Sequence, residues 1–397
     1  MRRPAQVNGD CAGIVEIEHR LNHLLRHQIQ DQHFVRSLRS TLREWSQTVW
    51  AAAECRGMST PRSPDLEHGL RLAQRPVFVC GAARSGTSLL RDLLDGHPEL
   101  IVIPNESGFY PGMERALSGL RSERHCAYLG CRWLERLVDA PPFWPLGSST
   151  IAGSPYIAFA REFAGWSQAP RQHPNARITS WPLAAFALAY AQRLSAGRIP
   201  RGVRMWVEKT PGNERFLSRI WQDFPQAKVI QIVRRPEAVL ASMKRMPGTR
   251  WSHRRTLAHV VGKMAPSYRI AAKGDHLPDG RYCLVRYEDL TADPGSVMPR
   301  IAEFLGIAPH RSLLQPTTAG RPGFNNTSFG SWRSDPYLEL SPIERALLNL
   351  ATARNGAKLG YARAERSQGA GHAIVGTFAM TGTPSSTPKP GRKAKAA

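Results

Sequence analysis

Between positions 81 and 88 the chain reads GAARSGTS, and a guanidinium, three hydroxyls and two glycines in so short a span are the material of an anion site. The four residues before it, Val77, Phe78, Val79 and Cys80, form an apolar run of the kind that builds a buried parallel strand. After it, Leu89, Leu90, Leu93 and Leu94 recur at helical spacing until Asp95, Gly96 and Pro98 close the segment. In a strand, loop and helix so arranged, the loop's backbone N–H groups point inward, the first helical turn adds unpaired donors, and the helix dipole favours negative charge. Gly81 and Gly86 permit backbone angles and close approaches that a side chain would block. Their spacing matches the opening of the phosphate-binding loop of nucleoside triphosphatases, but Thr87 stands where that motif needs lysine, and the basic residue, Arg84, lies inside the loop. An ordinary strand-turn-helix connection with an exposed arginine is the alternative these residues alone leave open.

Four more stretches place polar side chains at or just beyond apolar runs. Glu106 follows the segment 100–104, and Lys209 sits in Glu208-Lys209-Thr210-Pro211 after a strand expected at 204–207. Arg234 leaves the end of a strong run at 228–233, with Ser242 eight residues on in a helix expected from 237 to about 246. Pro236 suits the start of that helix, because its fixed φ matches the first turn and its missing N–H is not needed there. Tyr287 follows a run at 282–286. The carboxyl ends of strands are where ligands of open parallel sheets sit. Helical periodicity recurs at 213–224 and about 297–305, and Ser341-Pro342-Ile343-Glu344 has the form of a capping box opening a last helix. Strands alternating with helices predict an α/β chain: a P-loop-like three-layer fold with a central, mainly parallel sheet, helices on both faces and right-handed crossovers.

The 397 residues can hold one large domain or two ordinary ones. A formal charge of +23, from 54 Lys and Arg against 31 Asp and Glu, favours anionic partners without choosing among them. The six cysteines form no CxxC pair and no dense framework, which points to a reducing compartment. With no continuous apolar stretch to mark a secretory signal or a transmembrane segment, the chain is expected to be soluble and cytoplasmic. Residues 1–70 read as a helical arm and linker, with Ile14, Ile17, Leu21 and Leu24 on one apolar stripe and Val35, Leu38, Leu42, Trp45 and Val49 on another. Such a basic arm suits packing on its own domain, docking on a membrane surface, or pairing two copies into a homodimer. Residues 71–363 form the main domain, whose aromatic-rich insert at about 107–200 either lines a pocket or covers the sheet as a helical layer. Residues 364–397 have the composition of a disordered basic tail.

Three blocks carry a family resemblance. GAARSGTSLLRDLLDGHPEL, WVEKTPGNERFLSRIWQDFPQAKVIQIVRRPEAVLASM and CLVRYEDLTADPGSVMPRIAEFLGI resemble the sulfotransferases that use 3′-phosphoadenosine-5′-phosphosulfate (PAPS), above all the bacterial branch related to tyrosylprotein sulfotransferases. Order and spacing agree from about 75 to 361, leaving out the arm, the tail and most of the insert. The resemblance implies a PAPS donor, adenosine 3′,5′-bisphosphate as product, no metal, no specific nucleic acid partner, and a hydroxyl or phenol acceptor on a small molecule, glycan or peptide. It implies further that Arg84, Ser85, Gly86, Thr87 and Ser88 hold the 5′-phosphate, with Arg84 near the bridging oxygen. Arg234 and Ser242 match the 3′-phosphate pair, a role for which a planar guanidinium fork is suited. Tyr287 matches a nucleotide contact. Glu106 matches the general base of an in-line displacement, in which Arg84 and Lys209 would meet the charge developing on the departing phosphate.

The sequence also departs from the family pattern. One extra residue separates the HPE from Glu106, and IPNES replaces PPET; Glu106 as a capping or salt-bridging surface residue is the structural alternative, as a bare strand terminus is for Tyr287. Arg235 stands where relatives usually have Asp. Met246 replaces a further arginine, with Lys244 and Arg245 as substitutes. Arg321, Asn326, Ser328 and Trp332 loosely resemble a loop that closes over the nucleotide. A P-loop kinase, opposed by Thr87, and a non-catalytic polyanion-binding protein, suggested by the charge, are the competing readings.

Overall fold

The computed structural model describes residues 63–103, 106–113, 180–195, 198–245, 253–278, 280–317 and 340–361, with isolated positions in the first 62 and between 159 and 167. The two apolar stripes of the arm, the basic tail, Met246 and the stretch with Arg321, Asn326, Ser328 and Trp332 lie outside the described residues. Five strands, β1 (Pro76–Cys80), β2 (Leu100–Val102), β3 (Met205–Lys209), β4 (Lys228–Val233) and β5 (Tyr282–Arg286), form one sheet in the order β2-β3-β1-β4-β5. Every pairing among them is parallel. Around the sheet lie α1 (Ser63–Ala73), α2 (Thr87–Leu94), α3 (Trp181–Leu194), α4 (Leu217–Asp223), α5 (Pro236–Lys244), α6 (His253–Ala271), α7 (Tyr287–Ala292), α8 (Pro294–Leu305) and α9 (Pro342–Lys358). This is the α/β, P-loop-like architecture expected from the alternating runs.

The strand ahead of GAARSGTS is the middle one. Phe78 and Cys80 of β1 face one core with Trp206, Phe224 and α3, while Val77 and Val79 face a second with Leu90 and Leu93 of α2 and Ile301 and Leu305 of α8. Burial on both faces is why such strands read as unbroken apolar runs rather than alternating ones. A third cluster joins Val233 to α5, α6 and α9 through Leu240, Met264 and Leu348.

Three differences from the sequence expectation bear on the site. Strand β3 runs two residues past 207, so Glu208 and Lys209 are strand residues opposite Phe78 and Val79 of β1. The helix expected at 213–224 is a 3₁₀ turn, Asn213–Phe216, followed by α4; Gly212, at φ 93°, sets the tight entry. Tyr287 opens α7 instead of ending a strand. Of the aromatics in the insert, the described Phe109, Tyr110, Phe159, Phe163, Trp166, Trp181, Phe186 and Tyr190 are buried in the core, and most of 114–179 lies outside the described residues. None of the described helices is long and apolar enough to cross a membrane.

The capping box forms as its sequence dictates. Ser341 Oγ accepts the Glu344 N–H at 3.3 Å, and Glu344 Oε2 accepts the Ser341 N–H at 2.8 Å. Ser341→Ala should therefore cost about 1 kcal/mol, read as a lower urea midpoint at unchanged slope.

Candidate active site

Arg84 to Ser88, Glu106, Lys209, Arg234, Ser242 and Tyr287 gather at the carboxyl edge of the sheet. The loop after β1 adopts three left-handed residues: Gly81 at φ 138°, Arg84 at 72° and Gly86 at 103°. A Cβ on Gly81 would come within 2.2 Å of the Ile232 carbonyl oxygen, and one on Gly86 within 2.3 Å of the Tyr287 ring, so neither position admits a side chain. The Ser85 N–H closes the turn on the Ala82 carbonyl at 3.1 Å. The Gly81 N–H donates to Glu214 Oε2 at 3.0 Å, and the Gly81 carbonyl accepts from the Gly212 N–H at 3.1 Å. Helix α2 begins at Thr87, and the first amides of a helix have no acceptor within it. The loop thus ends on donors aimed outward at the sheet edge.

Basic groups gather on the β4 side of this loop. Arg84 Nε donates to Ser242 Oγ at 3.0 Å, and an Arg234 Nη donates to the Arg84 carbonyl at 3.2 Å. The Arg234 guanidinium lies 4.2 Å from the centre of the Tyr287 ring, a cation–π contact. Burial, with Arg234 and Arg245 close by, lowers the pKa of Arg84. Lys244 is committed to Glu344 at 3.2 Å, which leaves Arg245 as the extra cation beside Arg84. The Tyr268 hydroxyl donates to the Arg234 carbonyl, and Glu288 accepts the Arg235 N–H at 2.9 Å and the Tyr361 hydroxyl at 2.6 Å. The usual Asp after the arginine is absent, and Glu288 from α7 holds the backbone there.

On the β3 side, Lys209 Nζ meets Glu106 Oε1 at 2.6 Å, the lysine side chain 4% exposed and the carboxylate 48%. Burial pulls the Lys209 pKa below its ordinary value; Glu106 opposes that shift and Arg91 adds to it. The neighbouring Glu208 is fully buried and takes hydrogen bonds from Ser107, Thr210 and Asn213. Burial raises the pKa of Glu208 and of Glu214. Nothing in the motifs marks Glu208, Glu214 or Glu288 as part of the site. A charged residue inside the apolar run WVEK was the available signal, since a buried carboxylate must find donors.

Across the sheet the strand ends therefore present, in spatial order, Glu106 beyond β2, Lys209 on β3, the 81–88 loop after β1, Arg234 after β4 and Tyr287 after β5. Residues 76–311, more than half of the chain, match the family model described as "Sulfotransferase family". The chain belongs to the sulfotransferase family. The kinase and non-catalytic readings end there, and the protein is an enzyme, a sulfotransferase. Among solved structures this sulfotransferase is similar to the sulfotransferase domain of the Synechococcus PCC 7002 olefin synthase, at 23% identity over 72% of this chain and 94% of that one, TM-score 0.41. It is also similar to sulfotransferase STF1 from Mycobacterium tuberculosis H37Rv, at 15% identity over 88% and 99%, TM-score 0.43. A mouse sulfotransferase, SULT7A1, solved in complex with PAP, matches at 14% identity over 76% and 95%, TM-score 0.39. No curated protein matches the chain.

Proposed function

We propose that this sulfotransferase moves a sulfuryl group from PAPS to a hydroxyl or phenol by in-line displacement, with Glu106 as general base and adenosine 3′,5′-bisphosphate as product. The observation that carries the reading is the row of strand ends: a carboxylate and a buried lysine on one side of an anion loop, two arginines, a serine and an aromatic ring on the other. The residues fit a nucleotide with two phosphate positions. Gly86 leaves no room for a Cβ at the loop, and Arg234 Nε is buried without a hydrogen-bond partner, a donor of the kind a 3′-phosphate would satisfy.

In this scheme Ser85, Gly86, Thr87 and Ser88 bind the 5′-phosphate through backbone N–H and hydroxyl donors, Arg234 and Ser242 bind the 3′-phosphate, and Tyr287 supports the nucleotide and Arg234 together. Glu106 takes the acceptor proton as the new O–S bond forms. The bridging S–O bond to the 5′-phosphate breaks, and its electron pair leaves on the phosphate oxygen, where Lys209 and Arg84 meet the charge. The half-exposed Glu106 carboxylate beside a buried lysine is the arrangement such a division of labour requires.

Residues 71–363 would be the catalytic unit, with 1–70 and 364–397 as accessory segments and the arm as a homodimer contact. The cysteine spacing, without a CxxC pair or a dense framework, favours a reducing, cytoplasmic setting. The acceptor belongs to the hydroxyl class, whether small molecule, glycan or peptide. Calorimetry tests the donor side: adenosine 3′,5′-bisphosphate should bind and ATP with magnesium and a heparin-like polyanion should not. Binding of ATP-magnesium with a silent bisphosphate titration overturns the reading. Incubation with radiolabelled PAPS and fractionated cell extract then identifies the acceptor by the fraction that takes the label.

A further inference from the structure

The backbone just after Glu106 is held by a single buried carboxylate. Glu208 Oε1 accepts the Ser107 N–H at 3.1 Å, the Ser107 hydroxyl at 2.7 Å and the Thr210 hydroxyl. The same two hydroxyls are acceptors for the next amides: Gly108 N–H donates to Thr210 Oγ1 at 3.1 Å and Phe109 N–H to Ser107 Oγ at 3.2 Å. Each hydroxyl has one proton, and with its lone pair engaged by an amide that proton points at Glu208. Three consecutive amides, 107, 108 and 109, are therefore gathered directly or through one hydroxyl onto one oxygen. The other oxygen, Oε2, takes Asn213 Nδ2 at 2.7 Å. Every partner donates, so the site calls for a group that only accepts.

The register explains why this matters at the opposite face. Glu208 and Lys209 are adjacent on β3 and so project to opposite sides of the sheet, Glu208 beside Phe78 and Lys209 beside Val79. The carboxylate fixes the turn from below while the lysine receives the side chain that this turn carries. We propose that Glu208, with Ser107 and Thr210, is a positioning device that fixes the 107–109 turn and so places Glu106 on Lys209. This rests on the reading of Glu106 and Lys209 as a working pair, and gives Glu208 no contact with substrate.

Competitive acetylation of the full-length enzyme by acetic anhydride across pH, with Lys209 quantified by mass spectrometry, tests the device without knowledge of the acceptor. Lys209 faces Glu106 and Arg91 from α2 and feels Glu208 from the other side of its own strand. Because Ser107 and Thr210 also hold down the pKa of Glu208, a shift carried by Glu208 would add to that of Glu106→Gln, which overturns the proposal, whereas a shift carried by the turn would not. Glu106→Gln removes the opposing carboxylate and should move the labelling profile of Lys209 to lower pH. The double variant Ser107→Ala/Thr210→Val should move it in the same direction, adding Glu106→Gln to that variant should move it no further, and bisphosphate affinity should stay within about twofold. A double variant with the wild-type profile, beside a shifted Glu106→Gln profile, overturns the proposal, as does a loss of bisphosphate binding, which would assign the network to the phosphate loop. If Glu106→Gln itself leaves the profile unmoved, the pairing of Glu106 with Lys209 fails instead, a result distinct from the other two.

Discussion

Glu106→Gln should slow sulfuryl transfer by about 10² to 10⁴-fold while bisphosphate binding stays within about twofold. Glutamine keeps the length of the side chain and can still present an oxygen to Lys209, but an amide does not accept the acceptor's proton. The carboxylate is 48% exposed, so the change costs little in folding, and Lys209, 4% exposed, keeps a hydrogen-bond acceptor in place of an ion-pair partner. The effect should therefore fall on the chemical step. Single-turnover transfer from radiolabelled PAPS to the extract fraction that takes the label measures it, with calorimetry on the bisphosphate as the binding control. Equal rates in wild type and variant would take Glu106 out of the mechanism and return it to the role of a surface ion-pair partner.

Arg234→Ala is expected to act in the opposite way, on binding and not on the step. A hydrogen bond to a charged group is worth about 1.5–3 kcal/mol, which is about 10- to 150-fold in dissociation constant, and a forked contact more. The substitution also removes the cation over the Tyr287 ring and the donor to the Arg84 carbonyl. The 3′-phosphate carries no changing charge during transfer, so the arginine contributes equally to ground and transition states, and KM should rise with kcat preserved at saturation. Adenosine 5′-phosphosulfate, which lacks the 3′-phosphate, supplies the control: its weaker binding should fall much less on the substitution, by no more than the indirect loss at Tyr287 and the Arg84 carbonyl. An unchanged affinity for the bisphosphate would remove Arg234 from the donor site.

The parts of the fold written in the sequence are those whose signal is local. The apolar runs at β1 and β4 lie inside the sheet, and such burial leaves a run that needs no partner to be recognised. The same holds for GAARSGTS, whose glycines are required by the backbone itself, and for the Ser341 box, which closes within four residues. Glu106 and Lys209 were legible only through family resemblance, since nothing in either neighbourhood announces that residues 103 apart in sequence will touch. Glu208, Glu214 and Glu288 were missed for a related reason. Glu214 and Glu288 look like surface charges, and Glu208 like a charge stranded in an apolar run, until their donors arrive from other strands and loops, Ser107 to Glu208, Gly81 to Glu214 and Arg235 to Glu288. Composition leaves the aromatic insert open, since rings can line a pocket or fill a core, and it is packing against α3 that places the described Phe159, Phe163 and Trp166 in the core.

The strand order carries a consequence for how the enzyme is made. β1 leaves the ribosome early, yet its two neighbours are β3 and β4, and the carboxylate that ties down its loop at Gly81 lies 133 residues downstream. At the usual pace of translation, about 5–20 residues per second, the middle strand of the sheet waits several seconds with both edges open and both faces apolar. Parallel pairings between distant segments are slow to form and expose the nascent chain to aggregation while they are incomplete. A chain stopped before β4 has no way to close the sheet around β1. The anion loop at the centre of the enzyme is therefore among the first site elements synthesised and among the last to take shape.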